Sequence, residues 1–155
     1  MSFHCAYWVH KSGLQPASGK NSNHVAVDET VIQLNNQRFW LYAAVDPNSN
    51  EFLHVRLFPT RTIVLTKQFL QELAEKHDVA DSLFLVDGAP WLQAALFNLS
   101  LRFQHVTHGN RNAIERLFKE LKRRTERFAT HFRHATADSG ETWLQTFAFV
   151  FNQLI

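Results

Sequence analysis

Cysteine is nearly missing from this chain. It occurs once in 155 residues, at Cys5, so no disulfide can form within the chain, and a reducing compartment suits it. Glycine and proline are also sparse, at five and four residues, and no glycine-rich phosphate loop is formed from them. No apolar run is long enough to span a membrane. The opening "MSFHCAYWVHKSG" has neither the basic segment nor the apolar core of a signal peptide. These absences predict a cytoplasmic protein without a membrane partner. Histidine pairs occur at His105 and His108 and at His131 and His134. With no cysteines beside them they make only a weak zinc signal, and histidines on the surface or facing a bound partner are the simpler reading. No Ser-His-Asp arrangement and no internal repeat is visible.

What is present is core material and a concentrated positive charge. Hydrophobic residues make up 45% of the chain, with 14 Phe and four Trp, enough to fill the interior of one domain. The net charge is only +2. However, the segment 111–127 holds seven Arg or Lys against three Glu, a net +4, which leaves −2 for the rest. A basic stripe of this kind is the footprint of a nucleic-acid binder, or else a solvated helix face carrying i,i+4 pairs.

Residues 1–23 read as an irregular lead-in, with a short helix possible at 6–11, and "KSGLQPASGKNSN" has linker composition. Three strands then follow in "HVAVDETVIQL", "RFWLYAAVD" and "EFLHVRLF", separated by turns at 35–37 and 47–50. Short turns between β-rich runs predict an antiparallel meander. Apolar residues at helical spacing predict a helix over 63–77. "SLFLV" is a short buried strand ending at Asp87, and "APWLQAALFNL" is a helix with Pro90 in its first turn. "LRFQHV" is a fifth strand, and a basic helix follows over about 110–128. A last helix, 139–153, is expected to bury Trp143, Leu144, Phe147, Val150, Phe151 and Leu154. Residues 24–155 thus form one α/β domain, a five-stranded mixed sheet flanked by helices.

Three carboxylates stand out. Asp28 lies mid-strand, where a charge is unfavourable unless compensated or on a solvent-facing edge. Asp87 follows a buried strand directly, the position where α/β sheets bind ligands, although an Asp there can also cap the next helix. Glu115 sits near the start of the basic helix, at the border between its apolar face and solvent. A capping box with Asn112 or an i,i+4 pair with Lys119 would also account for it. Two Asp and one Glu on three elements suit a hard divalent cation such as Mg²⁺, with nearby cations holding a phosphate backbone. Asp46, in "DPNSN", fits a turn role better than a site role. Glu29 points to the opposite sheet face from Asp28 and is left out of the site. Trp91 fits core packing better than stacking on a base.

The stretches "VAVDETVIQLNNQRFWLYAAVD", "LFLVDGAPWLQAAL" and "THGNRNAIERLFKELKRRT" resemble the catalytic domain of DDE transposases from insertion sequences of the IS-six type, archaeal members especially. The resemblance covers about 24–153 and implies an RNase H-like, integrase-like fold. It implies Asp28, Asp87 and Glu115 as the catalytic, metal-binding triad. It further implies two Mg²⁺ or Mn²⁺ ions and DNA contacts from Arg111, Lys119, Lys122, Arg123 and Arg124. The expected partners are element ends and target DNA, bound by a homo-oligomer. The implied reaction is metal-dependent phosphoryl transfer: water cleaves the element end, and the freed 3′-OH attacks target DNA.

Two departures accompany the resemblance. Residues 88–114, 27 in all, separate Asp87 from Glu115, a shorter interval than is common in the wider superfamily. Residues 1–23 are too few for the helix-turn-helix region expected ahead of the domain, and they read as a remnant of it. A catalytically inactive DNA-binding or regulatory remnant, and an RNase H-like nuclease that cuts without joining, are therefore the alternatives.

Overall fold

The computed structural model describes residues 16–34, 36–106, 115, 116, 119, 123 and 137–154. The short helix expected at 6–11 lies outside them. The meander forms as expected. Strands β1 (His24–Leu34), β2 (Gln37–Asp46) and β3 (Glu51–Phe58) pair antiparallel in sequence order. Both connections are short, and each contains an Asn with positive φ, Asn36 at 60° and Asn50 at 62°. Asn tolerates that conformation because its short amide can bond locally. In the second turn, Asp46 accepts from the Asn48 amide at 2.8 Å and from the Ser22 hydroxyl at 2.8 Å, which is the turn role its context predicts.

Helix α1 (Ile63–Lys76) follows, capped by the Thr62 hydroxyl, which accepts from the Leu65 amide at 3.2 Å. Strand β4 (Leu83–Val86) pairs parallel with β1. Helix α2 (Pro90–Asn98) leads to β5 (Arg102–His105), which pairs parallel with β4. The sheet order is β3-β2-β1-β4-β5. The last helix is α3 (Ala137–Leu154).

Alternation along the strands builds two cores, one on each face. Val25 and Val27 of β1, Tyr42 and Ala44 of β2 and Phe84 of β4 pack with Phe69, Leu70, Leu73, Leu92 and Leu96 of α1 and α2. Ala26, Ile32, Leu41, Ala43 and Val45 pack on the other face against Trp143, Leu144 and Ala148 of α3. Fully buried side chains of this kind each contribute roughly 1.5–3 kcal/mol. Register slips at Ala44/Val45, where β3 bulges, so the inward positions of β3 change parity along its length. The far end of α3 departs from expectation. Val150 is 45% and Leu154 80% exposed, whereas Phe151, between them, still packs on Phe52 of β3 with ring centroids 5.6 Å apart.

The edge strand β3 is closed off by side chains. Asn152 of α3 accepts from the Phe52 amide and donates to the Phe52 carbonyl, both at 2.8 Å. Glu141 accepts from the Leu57 amide at 2.8 Å and from Arg56 Nε at 3.0 Å. Unpaired strand edges invite aggregation, and these bonds remove part of that edge. Arg56 also reaches Glu72 of α1 at 2.5 Å, and Glu72 accepts from His54 Nε2 at 2.9 Å.

Candidate active site

Parallel pairing of β1 with β4 covers only His24–Ala26 against Leu83–Leu85. Beyond that point β1 continues along β2 alone, with Asp28 opposite Ala43. Strand β4 ends one residue before Asp87. The two strands therefore separate just where each presents an aspartate. The resulting cleft is lined by Ala26, Val27, Asp28, Leu85, Val86, Asp87 and Val106. Asp28 and Asp87, read from sequence as site residues, are brought to one cleft.

Local bonds orient both side chains. Asp28 Oδ1 accepts from the Glu29 amide at 2.9 Å, and Asp87 Oδ1 accepts from the Ala89 amide at 3.2 Å. Asp87 thus forms a short turn and does not cap α2, whose N-cap is Ala89 with no side-chain bond. The chain turns at Gly88, where φ is +92° and a Cβ would sit 3.0 Å from His105 Nε2. Only glycine combines that dihedral with that clearance. His105 is exposed at the end of β5.

Glu115 is helical and exposed, as are Arg116, Lys119 and Arg123. The expectation placed Glu115 at the core border, whereas it faces solvent. Glu115, Lys119 and Arg123 recur every fourth residue and so share one stripe of that helix. Among the described residues, no three His, Cys, Asp or Glu side chains gather closely enough to hold a metal ion, and Glu115 is not among the residues lining the cleft. Arg111, Lys122 and Arg124 lie outside the described residues, as do His108, His131 and His134.

A second group of residues, set aside or unread in the sequence, lies on the other face beneath this cleft. Glu29 Oε1 accepts from Trp91 Nε1 at 3.2 Å and lies 3.6 Å from Arg61 Nη1. The Arg61 guanidinium sits 4.0 Å from the Trp40 ring centroid and 4.3 Å from that of Trp91. The Glu29 side chain is only 5% exposed, and its Oε2 is buried without a hydrogen-bond partner. Burial and the charges of Asp28 and Asp87 push its carboxyl up to about 7, against the opposing pull of Arg61 and the Trp91 bond. The available sequence signal was an acid at a strand position whose neighbours on that face, Val25 and Val27, are buried.

Hard oxygen donors on an otherwise apolar cleft are the donor set that Mg²⁺ or Mn²⁺ takes. No helix among the described residues is long and apolar enough to cross a membrane.

Known proteins share this fold. Residues 22–153 match the DDE domain family of IS240-type transposases. An uncharacterised protein of Methanocaldococcus jannaschii is 31% identical over 147 residues, which are 92% of this chain and 66% of that protein. The chain thus spans about two thirds of that relative's length. An uncharacterised protein of Aquifex aeolicus is 39% identical over 51 residues, 33% of this chain and 42% of that protein. Among solved structures, the catalytic core domain of BIV integrase superposes with a TM-score of 0.60 at 17% identity, covering 84% of this chain and 82% of that one. The HTLV-2 integrase catalytic core domain in complex with magnesium gives 0.58 at 16%, covering 84% and 85%. With five strands in this order, two aspartates at one cleft and a family match over most of its length, the chain belongs to the DDE domain family of transposases, with the fold of an integrase catalytic core.

Proposed function

We propose that this chain catalyses metal-dependent DNA cleavage and strand transfer in insertion-sequence transposition, through Asp28, Asp87 and Glu115. The observation that carries the reading is the convergence of Asp28 and Asp87 on one cleft where β1 and β4 part. The magnesium complex of the similar integrase core supports the same metal chemistry. When bound, two Mg²⁺ or Mn²⁺ ions would activate the attacking oxygen and stabilise the leaving one. Asp28 and Asp87 hold that site in place, each oriented by a main-chain amide. Glu115 is the third ligand in this reading, which requires its helix to bring it to the cleft in the loaded complex.

The DNA is held beside the cleft by cations. Lys119 and Arg123 share the exposed stripe of Glu115, and Arg111, Lys122 and Arg124 extend the same basic sequence. Each neutralised phosphate releases counterions and favours binding. Water's attack on the element end leaves a 3′-OH, which then attacks target DNA. Each step exchanges one P–O bond for another and needs no energy-carrying cofactor. The partners are element ends and target DNA, with homo-oligomerisation on DNA, in the cytoplasm.

The test is joining of a pre-cleaved duplex, bearing the repeats that flank this gene, to a supercoiled plasmid with Mg²⁺ or Mn²⁺. Joining should need the metal and vanish in Glu115→Gln. Retained DNA binding without joining in the wild type would overturn the reading in favour of a non-catalytic DNA-binding protein. Cutting without joining would make it a nuclease.

A further inference from the structure

Nothing in the main-chain ladder holds Asp28 and Asp87 at a fixed separation. The parallel pairing of β1 and β4 stops at Ala26 and Leu85, short of both aspartates. Past that point, the strand bearing Asp28 and the turn bearing Asp87 need some other tie. The Trp91–Glu29 hydrogen bond lies in that place. Glu29 is the residue after Asp28, and Trp91 stands in the first turn of α2, four residues after Asp87.

We propose that Glu29, Trp91 and Arg61 form a positioning clamp that sets the spacing of Asp28 and Asp87 from the opposite face of the sheet. This rests on the reading of the cleft as a metal-dependent active site. Arg61 enters from the segment before α1 and is stacked between Trp40 of β2 and Trp91 of α2. Its guanidinium fixes the Trp91 ring plane and meets the same Glu29 oxygen that Trp91 donates to. Three elements, β1, β2 and α2, are thereby pinned to one carboxylate.

Stability does not account for this cluster. A buried carboxylate with one oxygen unpartnered costs more than an apolar side chain of similar size at the same position. Val25 and Val27, on the same face of the same strand, are that apolar alternative. A strained or costly group that persists beside a reactive cleft is more readily explained by what it positions. Partners in the outer shell of a metal site act in this way, by fixing the orientation of the groups that bind the ion.

The test is Mn²⁺ binding by calorimetry on the intact chain, run beside the joining assay. The variants are Glu29→Ala, Trp91→Phe, the double variant and Glu29→Gln, each first shown to melt cooperatively. Trp91→Phe keeps the ring against Arg61 and loses only the N–H donor. Either single change should weaken Mn²⁺ binding and lower kcat by roughly tenfold or more, with the KM for DNA nearly unchanged. The double variant should be no worse than the poorer single one, because both remove the same bond. Glu29→Gln keeps the accepting oxygen and should recover most of the loss. Multiplicative losses in the double variant, or Mn²⁺ affinity unaltered in both single ones, would refute the clamp while leaving the active site standing. Wild-type protein that binds no Mn²⁺ would remove the active-site reading, and the clamp with it.

Discussion

Two glutamates on the α1–α2 side of the sheet have opposite fates. Glu72 accepts from His54 at 2.9 Å, Arg56 at 2.5 Å and Gln68 at 3.2 Å. Burial alone would push its carboxyl up, but the His54 bond, the Arg56 charge and the Gln68 bond outweigh it, and the net shift is downward. Glu29 has one hydrogen bond, a cation at 3.6 Å and an oxygen with no partner. Burial and two neighbouring aspartates win there, and the shift is upward. The number of partners sets the sign. A saturated carboxylate at the sheet edge stabilises the fold, whereas a starved one beneath a cleft is kept for another reason.

The largest effect should come from the carboxylates above Glu29. Asp28→Asn or Asp87→Asn keeps the oxygen that accepts the local amide bond and removes the charge. Joining activity should fall about a thousandfold, as expected when several kcal/mol of metal-borne stabilisation are lost, with the melting temperature little changed. Activity within tenfold of wild type in either variant would move the site elsewhere.

One substitution, made at each glutamate in turn, separates the two roles. Glu72→Met leaves His54 and Arg56 short of an acceptor in a partly buried place. It should cost about 2–3 kcal/mol, or roughly 5–10 °C in melting temperature. Glu29→Met replaces a poorly partnered buried charge with apolar volume and should leave the melting temperature unchanged or higher. Equal falls in both would show Glu29 to be as structural as Glu72.

Most of the frame was legible in the sequence because strands and turns carry local signals. The Asn-containing turns and the alternation of β1 and β2 placed Asp28, and the "LFLV" run placed Asp87. The bulge at Ala44/Val45 left no local mark, since it depends on how two strands meet. Glu29 was excluded from the site by strand parity, which assigns faces correctly but says nothing of charge acting through one layer of backbone. Arg61 belongs to no periodic element, so only the fold brings it between Trp40 and Trp91. Convergence of Glu115 with the aspartates depends on long-range placement, which spacing in sequence does not fix.

Acid titration distinguishes Glu29 from the buried histidines by a smaller effect. His54 and His77 are held below the usual histidine range, chiefly by burial. As pH falls through 6.5, the unfolded chain takes up protons that these two folded imidazoles refuse. Their contribution is thus present above that pH and lost below it. Glu29 acts in the opposite sense. Its folded carboxyl, at about 7 against 4.5, holds a proton that the unfolded chain releases, so stability rises as pH falls from 7 to 4.5. In metal-free protein, Glu29→Gln should therefore show a steeper loss of melting temperature between pH 7 and 5.5 than the wild type. A shallower loss would reverse the assigned direction of Glu29.

The smallest structural effect is expected on the exposed stripe of the basic helix, and it separates binding from folding. Lys119 and Arg123 face solvent, so neither Lys119→Ala nor Arg123→Ala should shift the melting temperature. If each neutralises a phosphate, each substitution weakens DNA binding to a similar degree on any sequence. It should also flatten the slope of log affinity against log salt concentration by about 1. Asp28→Asn should leave that slope as steep as in the wild type, because its carboxylate serves the cleft and touches no phosphate directly. A salt slope unchanged in both cation variants would mean that DNA lies along another face. The acid among these bases, Glu115, would then lose its reason for being there.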